Sequence, residues 1–162
     1  MDRRIDEPAD GETWDNPLEL QGYLPYRLAV TYNMVSRAFA NQCRETTGLS
    51  IPEWRVLAVL GRQASLTSQD VAHRTAMDKA KVSRAVSSLV DKGLVLRDGD
   101  PYDHRLNRLS MTAAGEEVYR AVVPMARTLE KRLTDLLSDA DMAMFNTLLD
   151  RLQEGARAIG RS

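Results

Sequence analysis

The sequence predicts a mainly α-helical chain carrying one small β-hairpin, and three observations support this. Apolar residues recur at helical spacing over most of the length. The segments LVLR (Leu94 to Arg97) and RLSM (Arg108 to Met111) alternate like paired strands. Residues suited to capping helices, Ser50, Thr67, Asp78 and Ser138, stand where the periodic stretches begin. In a chain of 162 residues, 43% hydrophobic and 28% charged, there is enough apolar material for one domain or two compact subdomains.

Residues 1–17 have no apolar period and contain Pro8, Gly11 and Pro17, the composition of a flexible acidic tail. A helix is predicted from Leu18 to about Thr46, within the segment 18–47. Leu24, Leu28, Tyr32, Val35 and Phe39 form one stripe on it, and Tyr23, Tyr26, Val30 and Met34 a second. One protomer rarely buries both faces of such a helix. Gly48 ends it. Ser50 and Glu53 then form a capping box around Pro52 and open IPEWRVLAVLGR, whose core candidates are Trp54, Leu57, Ala58 and Leu60.

Thr67 with Asp70 caps a short helix to about Thr75. A tight turn through Ala76 and Met77 reaches Asp78, which caps a second helix ending before Gly93, so the pair reads as a helix-turn-helix. On the second helix Val82, Ala85, Val86, Leu89 and Val90 make an apolar stripe, leaving Lys79, Lys81, Ser83, Arg84, Ser87 and Ser88 on the other side. The hairpin follows. From Thr112 a long helix carries Val118, Val122, Met125, Leu129, Leu133 and Leu136 and should kink at Pro124. Ser138 with Asp141 caps a last helix bearing Met142, Phe145, Leu148, Leu149, Leu152 and Ile159.

Charge is uneven although the formal net is only -1. Asp2, Asp6, Glu7, Asp10, Glu12, Asp15 and Glu19 outweigh Arg3 and Arg4 at the N-terminus, whereas the span from Arg62 to Thr112 is basic. One cysteine, Cys43, excludes an internal disulfide, and with only His73 and His104 beside it the chain is too poor in soft ligands for structural zinc. The longest apolar run, Val56 to Leu60, is far short of a membrane span, and no signal peptide is visible, so a cytoplasmic protein without membrane contact is expected.

The stretch RDGDPYDHRLNRLSMTAAG, Arg97 to Gly115, admits two readings. As a calcium loop from Asp98 it would need Gly at its sixth place and Glu at its twelfth, where Asp103 and Leu109 stand. A carboxylate group on a hairpin also lacks the apolar pocket that acid catalysis needs. No nucleophile–base spacing, phosphate loop or zinc motif occurs elsewhere, so no catalytic residue, metal or cofactor is expected. The other reading is a wing: Arg97, Arg105 and Arg108 on the hairpin reach a DNA minor groove or its flanking phosphates while the preceding helix lies in the major groove. The fold is then a winged helix-turn-helix spanning 48–112. A winged helix can also serve as a protein-interaction module that binds no DNA.

At these residues the sequence resembles the MarR family of transcriptional regulators. The family pattern D-x-R-x-x-x-L-x-L-T-x-x-G is present as Asp103, Arg105, Leu109, Met111, Thr112 and Gly115, with Met111 in place of the usual Leu; VSRAVSSLVDKGLVLR matches the recognition helix and first wing strand, and LSDADMAMFNTLLDRL the last helix. The likeness extends over about Leu20 to Leu152. It implies that Asp103 shapes the wing by holding Arg105, with Arg105 or Arg108 entering the minor groove. Lys79, Lys81, Ser83, Arg84 and Ser87 would face bases or phosphates, and Thr67, Ser68 and Gln69 would fix register on the backbone.

The same resemblance implies a homodimer built from the helices at 18–47 and 113–162, set on a near-palindromic operator with half-sites about 10 bp apart. It further implies a repressor released by a small effector. Tyr26, Arg27, Tyr32, Arg37, Trp54 and Arg55 offer aromatic faces and guanidinium groups suited to an aromatic carboxylate or its acyl thioester.

Overall fold

The computed structural model describes residues 17–99 and 107–160. Along the chain come α1 (Leu24–Thr47), α2 (Ile51–Leu60), β1 (Leu66–Thr67), α3 (Ser68–Thr75), α4 (Lys79–Asp91), β2 (Val95–Gly99), β3 (Asn107–Met111), α5 (Ala113–Thr134) and α6 (Asp139–Ile159). The chain divides into two compact units, with the boundary after Ala38, inside α1. Among the described residues no helix is long and apolar enough to cross a membrane.

In the first unit α1 starts later than the apolar pattern suggests. Residues 20–22 form a turn in which the Gly22 N–H donates to the Glu19 carbonyl at 3.1 Å, and the helix begins at Leu24 with Pro25 in its first turn. Pro there sacrifices no helical hydrogen bond. None of the residues from 17 to 38 is buried.

The second unit holds the core. Cys43 from the end of α1 joins Leu49, Val56, Leu57, Leu60, Leu66, Val71, Met77, Val82, Ala85, Val86, Leu89, Val95, Leu109 and Val122 in one buried cluster. Burial pushes the Cys43 thiol up, away from the reactive thiolate. Of the α2 candidates Leu57 and Leu60 are buried, while Trp54 and Ala58 are half-buried. Gly48, at φ 71°, ends α1 in the left-handed conformation that glycine tolerates.

The caps form at the expected positions. Thr67 and Ser138 complete capping boxes with Asp70 and Asp141, and Asp78 accepts the Lys81 N–H. Glu53 closes the box at Ser50 from the far side, accepting the Ser50 N–H at 2.7 Å. The turn between α3 and α4 passes through Ala76 at φ 52°, ψ 34°. Helix α5 continues through Pro124, which withholds an N–H from the Arg120 carbonyl, and ends before Leu136.

The hairpin strands pair antiparallel, with Arg97 opposite Leu109 and Asp98 opposite Arg108. A third strand, β1, was not visible in the sequence. At two residues it is too short for any alternation, and it exists because Leu66 pairs with Leu109 and Thr67 with Arg108, giving the order β1-β3-β2.

Candidate nucleic-acid interface

The site is built around α4. Its buried side, Val82, Ala85, Val86 and Leu89, packs into the core, while Val90 is 37% exposed and lies outside the stripe expected for it. Lys79, Lys81, Ser83, Arg84 and Ser87 are exposed. Ser88 is not on that outer face. It is half-buried and donates to Glu53 Oε1 at 2.7 Å, because a position one turn after the buried Ala85 looks towards α2.

Two clefts flank the helix. In the first, of about 340 Å³, Thr67, Ser68 and Gln69 from the start of α3 meet Lys79, Val82 and Ser83 from the start of α4, together with Arg97 and Asn107 from the wing strands. The free amide N–H groups of two helix N-termini border it, an arrangement that favours anions. Arg97 shares a sheet face with its partner Leu109, and Asn107, two residues before Leu109, falls on the same side. That alternation could have identified Asn107 in the sequence, but the position was not singled out. Arg108 lies on the opposite sheet face, beside Asp98 and Thr67, and its charge acts on Asp70.

The second cleft, of about 410 Å³, is lined by the cap residue Ser50, by Pro52 and Glu53 of α2 and by Lys81, Arg84, Ala85, Ser88 and Lys92. Lys92, missed in the sequence, donates to Glu53 Oε1 at 2.6 Å and to the Gly48 carbonyl at 3.4 Å. Burial by itself would raise the Glu53 pKa. Hydrogen bonds from Lys92, from the Ser50 side chain and backbone, and from Ser88 overcome this and lower it from 4.5 to about 2.

The acids near α4 are caps rather than a proton-transfer pair. The Thr67 hydroxyl and N–H hold the Asp70 carboxyl below its ordinary range, and the Lys81 N–H does so for Asp78. Lys81 also lies 3.4 Å from Asp78, whereas Lys79, Arg84 and Arg97 make no ion pair among the described residues. No cluster of metal-ligating side chains occurs among the described residues. Asp103 and Arg105 lie outside them.

The residues expected to meet an effector are divided. Tyr26, Arg27, Tyr32 and Arg37 are exposed on α1 within the first unit, and Trp54 and Arg55 are half-buried on α2 in the second. Trp54 packs against Phe39 with ring centroids 6.0 Å apart and stacks on Tyr119 at 5.8 Å and 19°. Beside Tyr119 a groove of about 500 Å³ opens between the end of α2 and the start of α5, with Arg62, Gln63, Glu116 and Arg120 among its lining.

Comparison with known proteins places this geometry. The model of the MarR family matches residues 47–106. A MarR family transcriptional regulator of Silicibacter pomeroyi is 31% identical, with a TM-score of 0.70 over 84% of this chain and 99% of its own. An HTH-type transcriptional repressor of Mycobacterium tuberculosis is 25% identical over 138 residues, 85% of this chain and 94% of that protein. BpsR of Bordetella bronchiseptica, whose DNA binding is regulated by 6-hydroxynicotinic acid, shares the fold with a TM-score of 0.78 at 23% identity, over 85% of this chain and 98% of its own.

Proposed function

The chain belongs to the MarR family of transcriptional regulators, and from that membership we propose a homodimeric repressor that leaves a pseudo-palindromic DNA operator when a small effector binds. The observation that carries the DNA reading is the first cleft. Thr67, Ser68 and Gln69, Lys79 and Ser83, and Arg97 converge there from four elements, β1, α3, α4 and β2. In the duplex-bound state α4 lies in the major groove, with Lys79, Lys81, Ser83, Arg84 and Ser87 towards bases and phosphates. Arg105 and Arg108, with Asp103 bracing the wing, serve the adjoining minor groove and backbone.

The dimer reading rests on helices this chain leaves uncovered. Helix α6 has no buried residue although Phe145, Leu148 and Leu152 follow one another along it, each more than 40% exposed. A second copy covers that side together with the exposed apolar stripes of α1.

For the effector, an aromatic carboxylate or its acyl thioester suits the chemistry of Tyr26, Arg27, Tyr32, Arg37, Trp54 and Arg55. The groove at Tyr119 adds Arg62 as a partner for a carboxylate, beside Arg120, which Glu116 holds at 2.7 Å. The regulation of BpsR by 6-hydroxynicotinic acid, itself an aromatic carboxylic acid, supports this class.

Fluorescence anisotropy on duplexes tiled across the region upstream of the gene tests the proposal, with a salt series and the Arg105→Ala variant. Site-specific, steeply salt-dependent binding that Arg105→Ala weakens is the expected result. Binding no tighter than to unrelated DNA, there and in a genome-wide site search, would instead favour a protein-interaction module.

A further inference from the structure

The two sides of the recognition helix α4 are held by different kinds of force. On one side Val82, Val86 and Leu89 are fixed by apolar burial, which is non-directional and sets which face is inward. On the other, Ser88 and Lys92, one helical turn apart, both donate to the same Glu53 oxygen, at 2.7 and 2.6 Å. The second Glu53 oxygen accepts from the Ser50 N–H at 2.7 Å and the Ser50 hydroxyl at 2.6 Å. The carboxylate is therefore saturated, and its side chain is only 6% exposed. A buried charge bonded in this way has no alternative position of comparable energy, so its partners are held in direction as well as in distance.

Lys81, Arg84, Ser88 and Lys92 lie along the edge of α4 where its exposed and buried faces meet, and all four line the second cleft with Glu53. We propose that Glu53 is a positioning residue for DNA recognition: through Ser88 and Lys92 it fixes the rotation of α4 about its own axis, and so the line along which Lys81 and Arg84 meet the duplex. The proposal rests on the DNA-binding reading above. Glu53 itself touches no DNA. Its effect is on discrimination, because a rotated helix still offers cations to any phosphate backbone but no longer aligns them with one sequence.

The full-length protein tests this with two probes: a 30-bp duplex selected by the wild-type protein from a randomised pool, and a scrambled duplex of the same composition. Glu53→Gln removes the charge. Ser88→Ala removes one bond at little risk to folding, and thermal melting confirms the folded state of each. The selected duplex should bind about threefold more weakly to Ser88→Ala and about tenfold more weakly to Glu53→Gln, because only part of the stabilisation that hydrogen bonds to a charged group supply to the fold is transmitted to the duplex. Affinity for the scrambled duplex should hold, or rise in Glu53→Gln where the negative charge paired with Lys92 is lost. A selected-to-scrambled ratio unchanged in both variants, or both affinities falling in parallel, would overturn the positioning role while leaving DNA binding intact. Failure of the wild-type protein to enrich any duplex would overturn the DNA reading, and the positioning role with it.

Discussion

The α-carbon of Gly115 lies so close to the carbonyl of Leu94 that a Cβ would collide with its oxygen. The same oxygen accepts the Thr112 N–H at 3.1 Å, while the Thr112 hydroxyl donates to the Gly93 carbonyl at 2.8 Å and accepts the Gly115 N–H at 3.0 Å. The threonine and glycine of the family pattern thus join the residues that follow α4 to the start of α5. Gly115→Ala is expected to destabilise the fold by about 1–3 kcal/mol, as overpacking does. Urea unfolding would measure this, and an unchanged midpoint would show that the junction can open at no cost.

Ala76 should be replaceable with profit. It is exposed and holds the turn between α3 and α4 at φ 52°, a conformation that costs a residue with a Cβ about 1–2 kcal/mol. Glycine loses about 0.5–1 kcal/mol in chain entropy, so Ala76→Gly should gain up to about 1 kcal/mol. A lower melting temperature would contradict the strain.

Acid should release the Glu53 network. Its folded pKa is about 2 against an ordinary 4.5, so the carboxylate contributes stability above the higher value and loses it as pH falls through the lower one. The shift corresponds to up to about 3 kcal/mol. Stability of the wild-type protein measured between pH 5 and pH 2 should fall more steeply than that of Glu53→Gln. Parallel curves would place the acid sensitivity elsewhere.

Sheet alternation separates two wing arginines. Arg97 faces the first cleft and Arg108 the opposite side, near Asp70. Arg97→Ala should weaken operator binding more than Arg108→Ala and reduce the slope of log affinity against log salt by about 1. The reverse ranking would mean that DNA meets the outer sheet face.

An uncovered α6 should respond to charge. Phe145→Asp and Leu148→Asp are expected to convert a dimer to a monomer in sedimentation velocity and to abolish operator binding with it. A monomeric wild-type protein would remove the dimer reading directly.

Much of the fold was legible because its signals are local. Caps and the residues they bind stand three positions apart, at Thr67 and Asp70 or Ser138 and Asp141, and the helices and hairpin carry their own periods. The start of α1 was misplaced because apolar residues continue into a turn at Gly22. The polar residues of α4 were legible as a set. Their distribution between two clefts, and the inward turn of Ser88, were not.

What the sequence determined by itself was the order of the helices and the hairpin, the caps and the basic character of the central region, all properties of neighbouring residues. Tertiary structure alone decided the two-residue strand at Leu66, the opposite faces taken by Arg97 and Arg108, and the meeting of Glu53 with Ser88 and Lys92. Those partners are 35 and 39 residues apart. Only the folding of α2 against α4 brings them within hydrogen-bonding distance, and no local pattern encodes which buried carboxylate will find which cation.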